Sequence, residues 1–192
     1  MSQSQVDGIE AILNYWLNCP LVTDTAFKTN WDVRSINWLA YILATVYHET
    51  NRKMKPIHEY GDDDYFTRLY EGRKDLGNVY FGDGAKFHGR GLVQITGRAN
   101  YRKFTGILRK FFVEHIDLTE CPNYTLKEPI ALAILFYGSV MGTFTGKALK
   151  HYLGDTSKGQ MSDYINARRI INGLDRATLI KSYAVMFEKG LR

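Results

Sequence analysis

The spacing of apolar residues along the chain predicts a mainly helical protein. Residues 5–17 carry apolar side chains three or four positions apart, a period typical of an amphipathic helix, and Pro20 is expected to end it. Residues 33–50 are apolar on two adjacent rows at helical spacing, so we expect a central, nearly buried helix with Asp32 as its N-cap. Further helices are predicted over residues 98–110, 129–141, 146–153, 163–172 and 176–189.

Residues 51–88 show no sustained helical period. Gly, Asp and Asn are frequent there, which predicts a long loop with short turns, while the aromatic residues in this stretch argue against disorder. Residues 92–96 (LVQIT) form a short β-prone run between two glycines. Together these patterns predict a mainly α domain with a loop-rich lobe and at most one small pair of strands.

Composition and charge narrow the class of protein. The 192 residues suffice for one domain, and a hydrophobic fraction of 45% is enough for a core. The net charge of +5 favours anionic partners, but no nucleic-acid-binding motif accompanies it, so we expect no nucleic-acid partner. The two cysteines, Cys19 and Cys121, lack metal or redox spacing and are expected to be reduced and mostly buried.

The N-terminal sequence gives no sign of export. It lacks a charged segment followed by an apolar one, and no run of about 18 apolar residues follows elsewhere. We therefore expect synthesis in the cytoplasm and no membrane span.

Several motifs come close to metal or nucleotide sites and fail. Two His-Glu dipeptides occur, but a zinc-protease helix needs a second histidine four residues after the first, where Arg52 and Asp62 stand instead. Residues 62–64 (DDD) lack the alternating ligands and glycine of a calcium loop. Arg90 and Gly91 occupy the positions where a phosphate loop requires Lys and Ser or Thr. We expect no metal and no cofactor.

Two glutamates offer acid–base chemistry. Glu49 falls at the C-terminal end of the predicted central helix, where the helix dipole and partial burial favour a protonated carboxyl group. Such a group can act as a general acid, although a glutamate in a last helical turn is more often an ordinary surface residue. Glu59 lies ten positions further on, and glycoside hydrolysis requires a pair of carboxyl groups.

The order of three motifs resembles the order found in glycoside hydrolase family 19. These are YHET at residues 47–50, a second glutamate in a loop, and GRGLVQITGRANY at residues 89–101; the tail adds ARRIINGLD at residues 167–175. The likeness covers about residues 35–185 and is greatest to the compact branch found as phage endolysins. It implies a lysozyme-like, two-lobed helical fold, with residues 1–192 forming a single catalytic domain without a separate wall-binding domain.

The resemblance also assigns roles to residues. Glu49 matches the general acid, Glu59 the general base, and Thr96 the residue that positions the attacking water. Glu71 and the aspartates at 62–64 are fallback bases, because the gap between the two glutamates is shorter here than in plant members. Residues expected to contact sugar or to support the site are Gln94, Asn100, Tyr60, Asn172, His48 and Arg90.

Two departures from the family pattern bear on the site. Leu179 stands where the family usually has an arginine, so any salt bridge from that arginine must come from elsewhere, with Arg176 as one candidate, or be absent. His88 replaces the tyrosine that often precedes Gly-Arg-Gly, so a sugar-stacking contact is expected to differ.

The resemblance implies an inverting peptidoglycan hydrolase that cuts the β-1,4 backbone and reaches the wall of the host cell after a holin opens the membrane. A chitinase and a non-catalytic wall-binding module are the alternatives. We expect a monomer whose partner is the glycan strand. The basic C-terminal helix, with Lys189 and Arg192, is expected to make at most a weak contact with anionic lipid or lipopolysaccharide.

Overall fold

The computed structural model describes residues 1–18, 36–112, 115–154 and 161–192. It confirms a mainly helical protein with one small two-stranded sheet. The α-helices are α1 (Gln3–Asn18), α2 (Ile36–Glu49), α3 (Asp63–Tyr70), α4 (Asp83–Lys86), α5 (Arg98–Leu108), α6 (Glu128–Met141), α7 (Tyr164–Ala167) and α8 (Ala177–Leu191). Short 3-10 helices occur at Lys74–Leu76, Pro122–Leu126, Leu149–His151 and Arg168–Ile170. The expectations for Cys19, Pro20 and Asp32 lie outside the described residues.

The chain divides into two compact units. The first comprises Met1–Met54 and Leu135–Arg192, and α2 is its central element. Residues 37–46 of α2 are all buried, as its two apolar rows predicted, and the helix packs against α8 and α1. Near its N-terminal end, Trp38 Nε1 donates to the Leu153 carbonyl at 2.8 Å, and near its C-terminal end the Tyr47 and Tyr183 rings meet edge to face at 4.9 Å. These two contacts fix both ends of α2.

The second unit comprises Lys55–Ile134. Strand β1 (Ile57–His58) pairs antiparallel with β2 (Arg90–Gly91), so a small strand pair is present as expected. The predicted strand over residues 92–96 is wrong. The chain instead turns back at once: Arg90 and Ile95 form a bridge, and Gln94 takes a left-handed φ of 52°. The Gln94 side chain stabilises this turn by donating to the Gly91 and Ile57 carbonyls.

The expectation of a long loop over residues 51–88 is also wrong, because α3 and α4 lie within it. Asp62 caps α3 by accepting from the Tyr65 amide at 2.8 Å. Only Phe66 of the eight α3 residues is buried, and the helix is too short to show a sustained helical period in the sequence. The Asp62 cap and the buried Phe66 ring stabilise it.

Three smaller expectations are also corrected. Residues 146–153 contain only one short 3-10 helix, and residues 163–172 contain α7 followed by a 3-10 turn. Cys121 is free but exposed rather than buried. Within the described ranges, none of the helices has the length and hydropathy needed to cross a bilayer.

Candidate active site

Glu49 closes α2 and forms an ion pair within the first unit. Its Oε1 lies 2.5 Å from Nη1 of Arg168, whose side chain is only 4% exposed. Arg168 Nε also donates to the Asp175 carbonyl at 3.1 Å, which fixes the guanidinium. The ion pair with this fixed guanidinium holds the Glu49 side chain in one direction.

Arg168 is a residue of the site that sequence reasoning missed. Arg176 was one candidate for the salt bridge of the arginine that Leu179 replaces. Arg176 is exposed at the start of α8, and the ion pair with Glu49 is made by Arg168. The signal was present, because Arg168 belongs to the ARRIINGLD segment on which the family resemblance partly rests. What the sequence could not show is that α7 and its 3-10 turn bring this arginine to the end of α2.

Replacing Arg168 by alanine should destabilise the protein. The change leaves the Glu49 carboxylate, 16% exposed, without its cation, and removing one partner of a buried pair costs about 3–5 kcal/mol. Urea denaturation should report this loss. The matched control is Arg169→Ala, because that neighbour is exposed and its change should stay within about 0.5 kcal/mol. Equal effects from the two variants would contradict the assigned pair.

His48 and Asn172 also lie in the first unit. Burial lowers the pKa of His48, although the adjacent Glu49 carboxylate acts in the opposite direction. Asn172 is exposed. Its backbone amide donates to the Arg168 carbonyl at 3.0 Å, and its side-chain oxygen accepts from the Gly173 amide at 2.8 Å. Asn172 is thus joined to the turn that carries Arg168.

Glu59 follows β1 directly and is held from two sides in the second unit. Its Oε1 accepts from the Tyr70 hydroxyl at 2.7 Å, and its Oε2 accepts from the Gly89 amide at 2.8 Å. Burial, and then the hydrogen bond to Glu59, raise the pKa of Tyr70, so the tyrosine remains a donor. The two donors hold the Glu59 carboxylate in one orientation.

The side chains of Gln94 and Glu59 both lie on the side of Gly89 where another residue would carry its Cβ. A Cβ at Gly89 would lie 2.9 Å from Glu59 Oε2 and 3.1 Å from Gln94 Oε1. Beyond Gln94, the Thr96 hydroxyl donates to the Gln94 carbonyl at 3.1 Å, and Asn100 Nδ2 donates to the Thr96 carbonyl at 2.8 Å. The turn therefore links three of the predicted residues by direct hydrogen bonds, and the Thr96 oxygen keeps lone pairs to accept from water.

Changing Gly89 to alanine should impair activity far more than stability. The added methyl must displace the flexible end of Glu59, which is cheap for folding but moves the carboxylate. A displacement of about 1 Å in a catalytic group can lower the rate roughly 100-fold. Steady-state rates and thermal denaturation should be compared with those of Gly190→Ala, where a new Cβ meets nothing within 4 Å. Full activity in Gly89→Ala would contradict the placement of Glu59 in the reaction.

Arg90 is buried, and its Nη1 and Nε atoms donate hydrogen bonds to other groups of the protein. Its Nη1 donates to the carbonyls of Lys86 and His88 and to the Tyr101 hydroxyl, and its Nε donates to Asn123 Oδ1. These bonds fix the segment that presents the Gly89 amide. Arg90 therefore acts as a supporting residue in this geometry.

Other predicted residues take different positions. Tyr60 is exposed next to Glu59. The fallback base Glu71 accepts from the amides of Gly82 and Gly84, both at 2.7 Å, and so ties the loop before α4 to α3. Of the aspartates at 62–64, the first caps α3 and the other two are exposed in its first turn. Among these carboxylates, Glu59 is therefore the one that lies beside Gln94 at Gly89.

A histidine pair beside Glu59 was not foreseen. His88 Nδ1 lies 2.7 Å from the Ala85 carbonyl, which can only accept, so this nitrogen carries the proton. His88 Nε2 can then accept from His58 Nδ1 at 3.2 Å, while the Phe66 ring stacks on His88 at 4.1 Å. Burial lowers the pKa of both histidines, and the Arg90 charge acts in the same direction.

This pair should make stability depend on pH. Between the lowered native pKa and the ordinary value of about 6.5, the unfolded chain binds protons that the native pair does not. The free energy of unfolding is therefore expected to fall as the pH drops from about 7.5 to 5.5. Denaturant titrations should show a smaller fall for His88→Gln, with exposed His115→Gln as control. An unchanged slope in His88→Gln would contradict the pair's contribution.

One group of potential metal ligands occurs in the described residues. His115, Asp117 and Glu120 place ligand atoms within 4.8 Å of one another. Asp117 Oδ1 already accepts from Thr119 and Glu120 amides, and its Oδ2 pairs with Arg109 at 2.8 Å. The Asp117 carboxylate thus has protein partners of its own, and we assign the group no ligand.

Comparison with known proteins supports the coarse class of activity. No family model matches the chain. Over 38 residues, 20% of the chain, it is 51% identical to a glycosyl hydrolase family 19 domain-containing protein of Haemophilus influenzae. The matched segment spans 19% of that relative's length. This partial similarity supports a likeness to glycoside hydrolase family 19 and a glycoside hydrolase-like function.

Proposed function

We propose that the protein is an endolysin that hydrolyses the β-1,4 bonds between MurNAc and GlcNAc in peptidoglycan, with inversion at the anomeric carbon. The observation that carries the proposal is the Glu59 carboxylate, which is oriented by the Tyr70 hydroxyl and the Gly89 amide beside Gln94. The ion-paired Glu49 and the partial similarity to a family 19 protein support it.

The proposed chemistry needs two carboxyl groups in opposite protonation states. Glu49, protonated, donates to the glycosidic oxygen, while ionised Glu59 removes a proton from a water held by Thr96. The water attacks the face of C1 opposite the leaving group, through an oxocarbenium-like state. An inverting mechanism requires about 6.5–9.5 Å between the two carboxyl groups, to leave room for the water.

Arg168 has a defined part in this scheme. Its Nη1 pairs with Glu49 Oε1, and its Nε donates to the Asp175 carbonyl, which fixes the guanidinium. Arg168 is thus proposed as a positioning residue that sets the direction of the Glu49 side chain.

The proposal is tested by measuring new reducing ends released from purified peptidoglycan sacculi and, in parallel, from chitin oligomers. We expect release from sacculi at a much higher rate. Release from chitin alone would keep the chemistry and make the protein a chitinase. Sacculus binding without new reducing ends would contradict the enzymatic proposal and identify a wall-binding module.

A further inference from the structure

Helices α1, α2 and α8 leave an apolar pocket of about 600 Å³ in the first unit. Its lining runs from the buried side chains of Leu43 and Met54 to the exposed side chain of Met186, and it includes Ile9 and Phe187. None of the described side chains that line it is charged. A pocket of this size and character lies within the range of small-ligand sites, which are lined mainly by apolar groups with few polar ones.

Two polar residues of the lining place Arg52 at the edge of this pocket. Gln5 Nε2 donates to the Arg52 carbonyl at 3.0 Å, and the Tyr47 ring centroid lies 5.9 Å from the Arg52 guanidinium. The side chain of Arg52 is exposed, and a hydrogen bond links it to Tyr183. Across the described ranges, no carboxylate pairs with this guanidinium, so its charge is available to an anion from solution.

We infer that the pocket binds a single-chain fatty carboxylate, with its alkyl chain among the apolar side chains and its carboxylate paired with Arg52. Methionine side chains such as Met54 and Met186 adapt to the shape of a flexible chain, and a guanidinium offers the paired donors that suit a carboxylate. A peptide would bring backbone polar groups that this lining cannot satisfy. The inference is independent of the proposed hydrolysis, because neither Arg52 nor the pocket enters that mechanism.

Calorimetric titration of the full-length protein with laurate measures the binding directly. We expect one laurate per chain, and weaker binding of dodecyltrimethylammonium, which has the same alkyl chain and a positive head. Decanoate, shorter by two CH2 groups, should bind roughly 15-fold more weakly, because each buried CH2 contributes about fourfold in affinity. Arg52→Gln should weaken laurate binding about two- to fivefold, the range of an exposed ion pair, without weakening the cation.

Gly190→Phe tests the pocket itself. Gly190 lines the pocket, and a Cβ there meets nothing within 4 Å, so an added ring can enter the space without displacing the fold. We expect laurate affinity to fall about tenfold or more. The matched control is Gly106→Phe, because Gly106 is also an exposed helical glycine with open space around it. Arg68→Gln, at an exposed position of α3, is the control for Arg52→Gln.

Three results would overturn the inference. These are no laurate binding by the unmodified protein, equal affinities for laurate and dodecyltrimethylammonium, or undiminished laurate binding by folded Gly190→Phe. Sedimentation with phosphatidylglycerol vesicles distinguishes the other source of an acyl chain and a negative charge. Binding to these vesicles without binding to monomeric laurate would replace the fatty carboxylate by a membrane surface.

Discussion

Glu49→Gln should lower the rate of glycan hydrolysis by roughly 100- to 10,000-fold, the usual contribution of a positioned general acid. The amide has the shape of the carboxyl group and its oxygen can still accept from Arg168 Nη1. It has no acidic proton to give to the leaving oxygen. Initial rates of reducing-end release from sacculi measure the loss.

The folded state of this variant needs its own measurement. The substitution leaves the nearly buried Arg168 cation opposite a neutral group, so we expect the free energy of unfolding to fall by about 1–3 kcal/mol. Circular dichroism and denaturant titration show whether the variant remains folded under the assay conditions. Glu10→Gln is the control, because that carboxylate is exposed on α1. Normal hydrolysis by folded Glu49→Gln would remove Glu49 from the mechanism.

Glu59→Gln should lower the rate to a similar degree while leaving the fold almost intact. A glutamine oxygen can accept from the Gly89 amide, and its NH2 can donate to the Tyr70 oxygen once that hydroxyl rotates. The local hydrogen bonds therefore survive. The neutral amide cannot take a proton from water, and a general base typically contributes about 100- to 10,000-fold.

Glu71→Gln should give the opposite pattern. Both Glu71 oxygens accept from backbone amides, of Gly82 and Gly84, and neither amide can become an acceptor. The new NH2 must face one of these donors, which should cost about 1–3 kcal/mol of stability with little change in rate. Parallel rate and unfolding measurements separate the two glutamates. A severe rate loss in Glu71→Gln and normal rates in Glu59→Gln would move the base to Glu71.

The sequence predicted α2 well because burial on two rows of helical spacing continues through ten successive residues. Such a long periodic signal outweighs local irregularities. It also placed Glu49 at the last turn, as observed. Helix α3 was missed because its eight residues are too few to show a sustained helical period.

Contacts between distant parts of the chain were beyond sequence reasoning. Arg168 and Glu49 are 119 positions apart, and His58 and His88 are 30 apart. No spacing rule for helices or strands connects residues at these separations. The left-handed Gln94 turn was missed for a related reason: LVQIT has the composition of a strand, and side-chain hydrogen bonds to Ile57 and Gly91 hold it as a turn.

Mass spectrometry of fragments released from purified sacculi in ¹⁸O-labelled water tests the central claim most directly. Hydrolysis of the glycan backbone predicts fragments that end in reducing MurNAc with one ¹⁸O at the new anomeric carbon, and their absence with Glu49→Gln. Fragments without label, label in cleaved peptide stems, or equal release by the variant would contradict a glycoside hydrolase that uses Glu49 as its acid.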